Sequence, residues 1–323
     1  MPHHVPRIPA GGRVVRTPAR RGCSTLPLVR AQPHLAAPGE NKTVTEPSSV
    51  VEPRPAEPRH GAGTVGCDTS LVCGRYASSR RDAEVAAELR VDAVVGEELP
   101  PSWNLAPTQP ARIVVERESA DVPGASPTRQ LRTLRWGLIP PWAVDAKIGS
   151  RMINARKETV TEKAAFQVAA SRRRCLVPAD GYFEWERRPR GKATVPHFLH
   201  SGRRLLTFAG LYEFWQNPAV AADDPDHWVA SFTILTTQAP DALGHIHDRS
   251  PVVIPPAMRN LWLDPATTEL AVVRRMLDAV PETLFEAHEA GSDVNDHRNN
   301  GPTLVEAVPE PMTHKRERSL TER

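Results

Sequence analysis

Four short stretches of this 323-residue chain carry side chains that can attack an electrophile, transfer a proton or bind an anion. Cys73 opens the first stretch, Asn154 and Arg156 stand in the second, Glu184 lies in the third and His247 in the fourth. A thiolate is a strong nucleophile, carboxylate and imidazole carry protons, and guanidinium binds phosphate through two parallel hydrogen bonds. Each stretch alone also fits a structural role, since a lone cysteine or histidine often belongs to a packed core.

Glu184 lies between Phe183 and Trp185 in an apolar run. These neighbours predict a partly desolvated carboxylate, which suits proton transfer. The alternation of Tyr182, Glu184 and Glu186 is also typical of a strand with one face in solvent. An exposed structural glutamate therefore stays an alternative at this position.

Composition divides the chain near residue 72. None of the 17 aromatic residues precedes Tyr76, whereas 11 of the 33 prolines fall within residues 1–72. Ordering a backbone costs about 1–2 kcal/mol per residue, which a segment without large apolar side chains cannot offset. We expect residues 1–72 to be disordered or absent from the mature protein, residues 73–308 to form one catalytic domain and residues 309–323 to be a flexible tail.

Charge, cysteine content and hydropathy narrow the class of protein. A formal net charge of +3 does not by itself indicate a nucleic-acid protein. The four cysteines have no metal-ligand spacing and fit a reducing cytosol. No apolar run is long enough for a membrane helix or a secretory signal. We expect a cytoplasmic protein; an Arg-rich transit peptide is the alternative, against which the high proline content argues.

Hydrophobic periodicity after residue 73 predicts helices and short strands. The predicted helices cover residues 82–95, with Asp82 as the cap, 158–172 and 267–280. The predicted strands cover residues 111–116, 130–138, 174–186, 197–201, 204–215 and 230–238. The proline-rich residues 99–107 predict an ordered loop. Strands that mostly follow one another directly indicate an α+β fold with a largely antiparallel, barrel-like sheet and flanking helices.

Six short motifs each occur once along the chain, in the following order. They are Cys73-Gly74-Arg75-Tyr76, Trp103-Asn104-Leu105-Ala106-Pro107, Arg135-Trp136-Gly137-Leu138-Ile139-Pro140-Pro141-Trp142, Ile153-Asn154-Ala155-Arg156, Gly181-Tyr182-Phe183-Glu184-Trp185 and Ile246-His247-Asp248-Arg249. With the Asn-rich residues 294–301, this order and spacing resembles the SRAP family, the SOS response-associated peptidases. Members of that family process abasic sites, and the resemblance implies a single SRAP-like domain that ends near Val308.

The resemblance also implies roles for individual residues. The implied catalytic residues are Cys73, Asn154, Glu184 and His247, with Asn154 positioning the cysteine and the deoxyribose. The implied DNA-binding residues are Arg75, Asn104, Pro107, Trp142, Arg156, Thr236 and Arg249. Among these, the arginines would bind phosphates and Trp142 would stack on a base. We expect Trp136 to be a core residue and Asp248 to orient a neighbour.

Cys73 must be the first residue for the chemistry that the resemblance implies. A free α-amine beside the thiol can condense with the aldehyde of an abasic deoxyribose and close a thiazolidine ring, whereas an internal cysteine cannot. Residues 1–72 block that amine. Val72 stands where the family has its initiator Met, so translation from a GTG codon read as Val is one explanation. Self-cleavage before Cys73 and a blocked, inactive paralogue are the alternatives.

The function implied is covalent capture of abasic sites in single-stranded DNA, with associated lyase and autopeptidase activity in the SOS response to DNA damage. We expect a monomer that needs no cofactor and does not bind membranes. A cysteine peptidase acting on other proteins and a noncatalytic single-strand binder stay alternatives. His245, His247 and Asp248 are weak candidates for a metal site because no further ligand cluster accompanies them, so no metal is predicted. No nucleotide-binding loop appears.

Overall fold

The computed structural model describes residues 74–118, 125–186, 188, 193–240 and 243–309. Cys73, the proposed extension before it and residues 310–323 lie outside the described residues. All described residues belong to one compact unit. Among them, no helix is both long and apolar enough to cross a bilayer.

Strands predominate over helices in the described part of the chain. The strands are β1 (Arg75–Ser78), β2 (Ala93–Val95), β3 (Ser102–Leu105), β4 (Pro110–Arg117), β5 (Thr128–Trp136), β6 (Asn154–Arg156), β7 (Arg174–Ala179), β8 (Gly181–Glu186), β9 (Val195–His200), β10 (Leu206–Gln216), β11 (Trp228–Gln238), β12 (Arg249–Pro251) and β13 (Glu286–Glu289). The α-helices are α1 (Asp82–Leu89), α2 (Ala164–Arg172), α3 (Arg259–Leu263) and α4 (Leu270–Asp278).

Five strands close into a barrel in the order β11-β10-β7-β4-β5. Its neighbours are antiparallel except β5 and β11, which close the ring through a short parallel pairing. Strand side chains alternate between the two sides: Ile113 and Val115 point into an inner core that includes Trp136 and Phe208, and Val114 points to an outer core covered by the helices. The α+β, barrel-like fold with flanking helices is therefore confirmed.

A second, antiparallel sheet, in the order β13-β9-β8-β1-β3, packs on the inner core. Its Tyr76 ring lies edge-on to Trp136 at 5.1 Å between centroids, and Tyr182 lies edge-on to Phe208 at 6.1 Å. Trp136 is fully buried and donates its indole N–H to the carbonyl of Ile153, so the expectation that it is a core residue is confirmed. The opposite face of this sheet is covered by residues 290–305.

The structure corrects the predicted helices. The helix predicted over 82–95 ends at Leu89, where Arg90 adopts a left-handed conformation with φ of 54°, and the chain continues into β2. Arg81, not Asp82, occupies the capping position, and the Asp82 carboxylate instead accepts from Arg112 at 2.9 Å. The third predicted helix is shorter by a few residues at both ends, and α3 was not predicted.

Three further predictions fail because tertiary pairing overrides local pattern. The helix predicted over 158–172 begins only at Ala164, since residues 157–163 form turns that lead away from β6. The predicted loop 99–107 contains β3, which pairs with β1. The predicted strand 174–186 divides at Asp180, where the chain passes from β7 in the barrel to β8 in the second sheet.

Candidate functional site

Strand β8 turns Glu184 toward the barrel. Tyr182, two residues earlier, belongs to the inner core, whereas Phe183 packs on the opposite face of the sheet. Strand alternation therefore places Glu184 on the barrel side, where it is only 3% exposed. The alternative of a solvent-facing structural glutamate is excluded by this burial.

Glu184 and His247 line the same small cleft. The cleft is lined by Tyr182, Glu184, Leu199, Ala239, Leu243, Ile246, His247 and Arg249. The His247 side chain is 11% exposed, so solvent reaches it only at one edge. A carboxylate and an imidazole thus line one cleft whose other walls are mostly apolar, an environment that suits proton transfer.

The Nδ1 atom of His247 has a partner for each protonation state. It lies 3.1 Å from the backbone N–H of Arg249, which can donate to the neutral ring, and 3.1 Å from Oδ1 of Asp248, which can accept from the charged ring. Asp248 is mostly exposed and moves at little cost. These two contacts hold the imidazole in the same position whether it is neutral or protonated. They agree with the orienting role expected of Asp248.

The guanidinium of Arg249 forms a bidentate ion pair with the carboxylate of Glu158. The two terminal nitrogens of its guanidinium donate to the two Glu158 oxygens at 2.9 and 2.8 Å, and Nη2 also donates to the carbonyl of Thr236 at 2.8 Å. Burial would raise the pKa of Glu158, but hydrogen bonds and charge from Arg249 together hold that pKa below its ordinary value. The positive charge of Arg249 is therefore paired.

The parallel pairing of β6 with β11 places Asn154 opposite Ile234 and Arg156 opposite Thr236. Because Ala155 packs in the outer core, Asn154 and Arg156 lie on the barrel side of β6. Arg156 is exposed, as a phosphate ligand must be. Thr236 is only 1% exposed and its hydroxyl lies 3.3 Å from Arg249, a geometry that supports a positioning role; its contact with DNA stays a prediction.

Arg75 and Asn104 lie on the other face of the second sheet, next to the closing segment, which we define as residues 292–305. Arg75 donates to Oδ1 of Asn104 at 3.0 Å and to the carbonyl of Val294 at 2.9 Å. The Asn104 amide donates to the carbonyls of Asp296 and Asn299 at 3.0 and 3.1 Å. Asn104 is 2% exposed, so its geometry supports anchoring of the segment, and direct contact with DNA stays a prediction.

The structure separates Trp142 from the Glu184 cleft. Trp142 is 62% exposed, and its neighbour Ala143 accepts from the indole of Trp215 and packs near Val229. Thr236 lies seven residues beyond Val229 on β11, about 23 Å at ~3.3 Å per residue. Trp142 therefore stands toward the opposite end of the barrel, while Pro107 is half-buried in the turn between β3 and β4.

Sequence reasoning missed Glu158 as a site residue. The local pattern makes Glu158 the first residue of the predicted helix 158–172, and its partner Arg249 lies 91 residues away, so no local pattern signals the pair. The other missed cluster consists of Glu186, His197 and Glu289, whose donor atoms lie within 4.8 Å of one another. Among the described residues this is the only group of three or more with metal-ligand geometry, and it does not include His245, His247 or Asp248.

Comparison with known proteins places this geometry in a family. The family described as SOS response associated peptidase (SRAP) matches residues 72–297. The abasic site processing protein YoqW of Bacillus subtilis strain 168 is 36% identical over 73% of this chain and all of its own length, and YoaM of the same organism, also named an abasic site processing protein, is 34% identical over 73% of this chain and 98% of its own.

A crystal structure of a Bacteroides thetaiotaomicron protein matches the fold with a TM-score of 0.57 at 21% identity, over 73% of this chain and all of that chain. That likeness supports the fold alone. The family match covers most of the chain and includes the motifs that carry Arg75, Asn154, Glu184 and His247. The chain belongs to the SRAP family.

Proposed function

We propose that this protein processes abasic sites in single-stranded DNA and captures them covalently through Cys73. The observation that carries the proposal is the cleft lined by Glu184, His247 and Arg249. The exposed Arg156 lies on β6, which pairs with β11. Relatives over 30% identical are named abasic site processing proteins. A binding surface of this kind favours backbone contacts, so affinity should depend on salt more than on sequence.

The chemistry requires two bond-forming steps at the aldehyde carbon of the ring-opened deoxyribose. The α-amine of Cys73, with an ordinary pKa of about 7.7–8.0, adds to this carbon, and loss of one water gives an imine. The thiol then adds to the same carbon and closes the thiazolidine, its proton passing to the imine nitrogen. Glu184 and His247 are suited to move the protons of the amine, the departing water and the thiol.

Two further activities, reversal of the adduct and cleavage of the DNA strand, would follow from the same chemistry. Protonation of the ring nitrogen or sulfur by Glu184 or His247 would assist reversal of the adduct, and an imine intermediate permits strand cleavage by elimination, an abasic-site lyase activity. Autopeptidase action before Cys73 would expose the required amine, as would translation from Val72, the residue at which the family match begins. We further propose that the protein is a monomer that acts in the cytoplasm and is associated with the nucleoid when bound to DNA.

The decisive experiment uses a chain that begins Met-Cys73 and a single-stranded oligonucleotide with one abasic site. We expect a heat-stable, gel-shifted adduct whose mass equals that of the protein plus the DNA, less one water. Cys73→Ala abolishes the adduct, and Glu184→Gln slows its formation by about 10²–10⁴-fold. Cys175→Ala, which removes a buried thiol in the inner core, is the matched control and leaves adduct formation intact.

Peptide turnover without DNA, unaffected by abasic oligonucleotide, would instead favour a peptidase acting on other proteins. Salt-dependent binding of single-stranded DNA without any adduct from the Met-Cys73 chain would favour a noncatalytic binder. Intact mass of the protein isolated from its own cells decides the N-terminus: a functional chain that retains residues 1–72 contradicts the proposed role of Cys73.

A further inference from the structure

Three strands of the second sheet bring a histidine and two carboxylates together on the face that also carries Glu184. His197 on β9 is the direct register partner of Glu289 on β13, and Glu186 ends β8 opposite Val195. Side chains of register partners project from the same face of a sheet, and residues two apart share that face. Glu186, His197 and Glu289 therefore converge on one face, with their donor atoms within 4.8 Å of one another.

His197 is held in the tautomer that metals bind. The residue is 8% exposed, and its Nδ1 lies 3.2 Å from the carbonyl of Val195, which can only accept a hydrogen bond. Nδ1 therefore carries a proton, and in the neutral ring Nε2 presents its lone pair. A backbone carbonyl that fixes the distal nitrogen in this way is the usual outer contact of a metal-bound histidine.

The Nε2 atom of His197 faces a carboxylate oxygen, which is also a hydrogen-bond acceptor. It lies 3.9 Å from Oε2 of Glu186, and both atoms carry lone pairs when the ring is neutral. The carboxylates of Glu186 and Glu289 carry the negative charge, and together with the lone pair of Nε2 they form a site that a cation stabilises. The chain itself supplies one cation, because Nη2 of Arg188 lies 3.1 Å from Glu289 and 3.7 Å from Glu186.

We propose that Glu186, His197 and Glu289 form a site for a divalent transition metal of the zinc class, which binds in competition with the Arg188 guanidinium. One imidazole nitrogen and two carboxylate oxygens suit Zn²⁺, with bonds of about 2.0–2.2 Å. Donors bound to a tetrahedral ion with such bonds are roughly 3.4 Å apart, so the donor atoms, which lie within 4.8 Å of one another, need to approach by at most about 1.4 Å. A metal here would tie β8, β9 and β13 together, with His197 directly opposite Glu184 in register.

The test is calorimetric titration of ZnCl₂ into the full chain, produced without an affinity tag. We expect one binding site that is lost in His197→Gln and in Glu289→Gln, and that binds about tenfold more tightly in Arg188→Ala because the competing charge is gone. The matched control is Glu306→Gln, an exposed carboxylate outside the cluster. Cysteines elsewhere in the chain contribute equally to every variant, so the differences between variants report this site.

Thermal unfolding supplies a second readout that does not depend on stoichiometry. Zn²⁺ should raise the melting temperature of the wild-type chain, because a ligand that binds only the folded state stabilises it, and should not raise that of Glu289→Gln. Glu289 is half exposed, so this variant should fold normally. Equal zinc binding in wild type, His197→Gln and Glu289→Gln would overturn the proposal, as would an Arg188→Ala variant that binds zinc no more tightly than wild type.

Discussion

Two of the arginines predicted to bind DNA, Arg249 and Arg75, are held in opposite ways. Arg249 is paired in bidentate fashion with the carboxylate of Glu158. Arg75 donates to the neutral oxygens of Asn104 and Val294 and has no ion-pair partner among the described residues. Burial lowers the pKa of Arg75 from its usual value and the charge of Asp296 opposes this, but a guanidinium stays protonated.

The difference between Arg75 and Arg249 indicates two roles for arginine in this protein: attraction of DNA and positioning of neighbouring residues. A guanidinium held only by neutral acceptors keeps its full charge available, whereas one neutralised by a carboxylate contributes little field beyond its own contacts. We infer that Arg75 and the exposed Arg156 attract DNA phosphates, and that Arg249 mainly shapes the wall of the cleft that holds His247.

The largest expected effect is from Arg75→Ala. Removal of a guanidinium that pairs with a phosphate should weaken binding of single-stranded DNA by about 30-fold, ~2 kcal/mol, the scale of one hydrogen bond to a charged group. Fluorescence anisotropy with a labelled oligonucleotide measures this. Arg298→Ala is the matched control, because Arg298 is an exposed arginine paired with Asp296, and it should change affinity less than twofold. Equal losses in the two variants would remove the distinction drawn for Arg75.

Asn104→Ala should have the next largest effect, on stability. The amide donates to carbonyls of the closing segment and accepts from Arg75, so its loss leaves buried polar groups unsatisfied. We expect the free energy of unfolding to fall by about 1–3 kcal/mol in urea denaturation. Asn217→Ala, which removes a single exposed side-chain hydrogen bond from the backbone N–H of Ala219, is the control and should fall within 0.5 kcal/mol of wild type, roughly the scatter of surface substitutions. An unchanged Asn104→Ala midpoint would show that the segment is anchored by other contacts.

Glu158→Gln should strengthen DNA binding modestly. Without the carboxylate, the charge of Arg249 becomes available, so affinity should rise about twofold to fivefold and the salt dependence should steepen by about 0.7 in log–log slope. Anisotropy titrations at several salt concentrations give both quantities. Glu162→Gln, which disrupts the exposed pair with Arg274, is the control and should leave the slope unchanged. Weaker binding by Glu158→Gln would mean that the pair holds Arg249 in a DNA-contacting position.

The smallest effect is the pH dependence of the Glu158–Arg249 pair. Because the folded-state pKa of Glu158 lies below its ordinary value of 4.5, the stability that it contributes is present above pH 4.5 and is lost as pH falls through the folded-state pKa. The difference in melting temperature between wild type and Glu158→Gln should be constant from about pH 6 to 8 and should shrink below about pH 4.5. A difference that grows on acidification would contradict this sign.

Much of the fold could be predicted from hydrophobic pattern alone. Strands such as β4, β10 and β11 lie where β-branched and aromatic residues cluster, because those residues pack in both cores. The failures have tertiary causes. β3 contains no β-branched residue and pairs with β1, and the turns of residues 157–163 include Glu158, whose carboxylate pairs with Arg249.

The candidate site divides along the same line. Glu184 and His247 could be identified from motifs, but only the structure distinguishes a buried Glu184 from an exposed one. The positions of Thr236 and Asn104, both buried and hydrogen-bonded to neighbours, could not be predicted, since burial depends on strands and segments distant in sequence.

The sequence by itself determined which reactive side chains this protein owns, their order along the chain and the family to which that order points. Local pattern determined most strand positions, because side-chain periodicity acts over a few residues. Only the tertiary structure decided which charges are paired, which polar groups are buried and that Glu186, His197 and Glu289 converge. These properties depend on distances between atoms of separate strands, and strand register sets those distances.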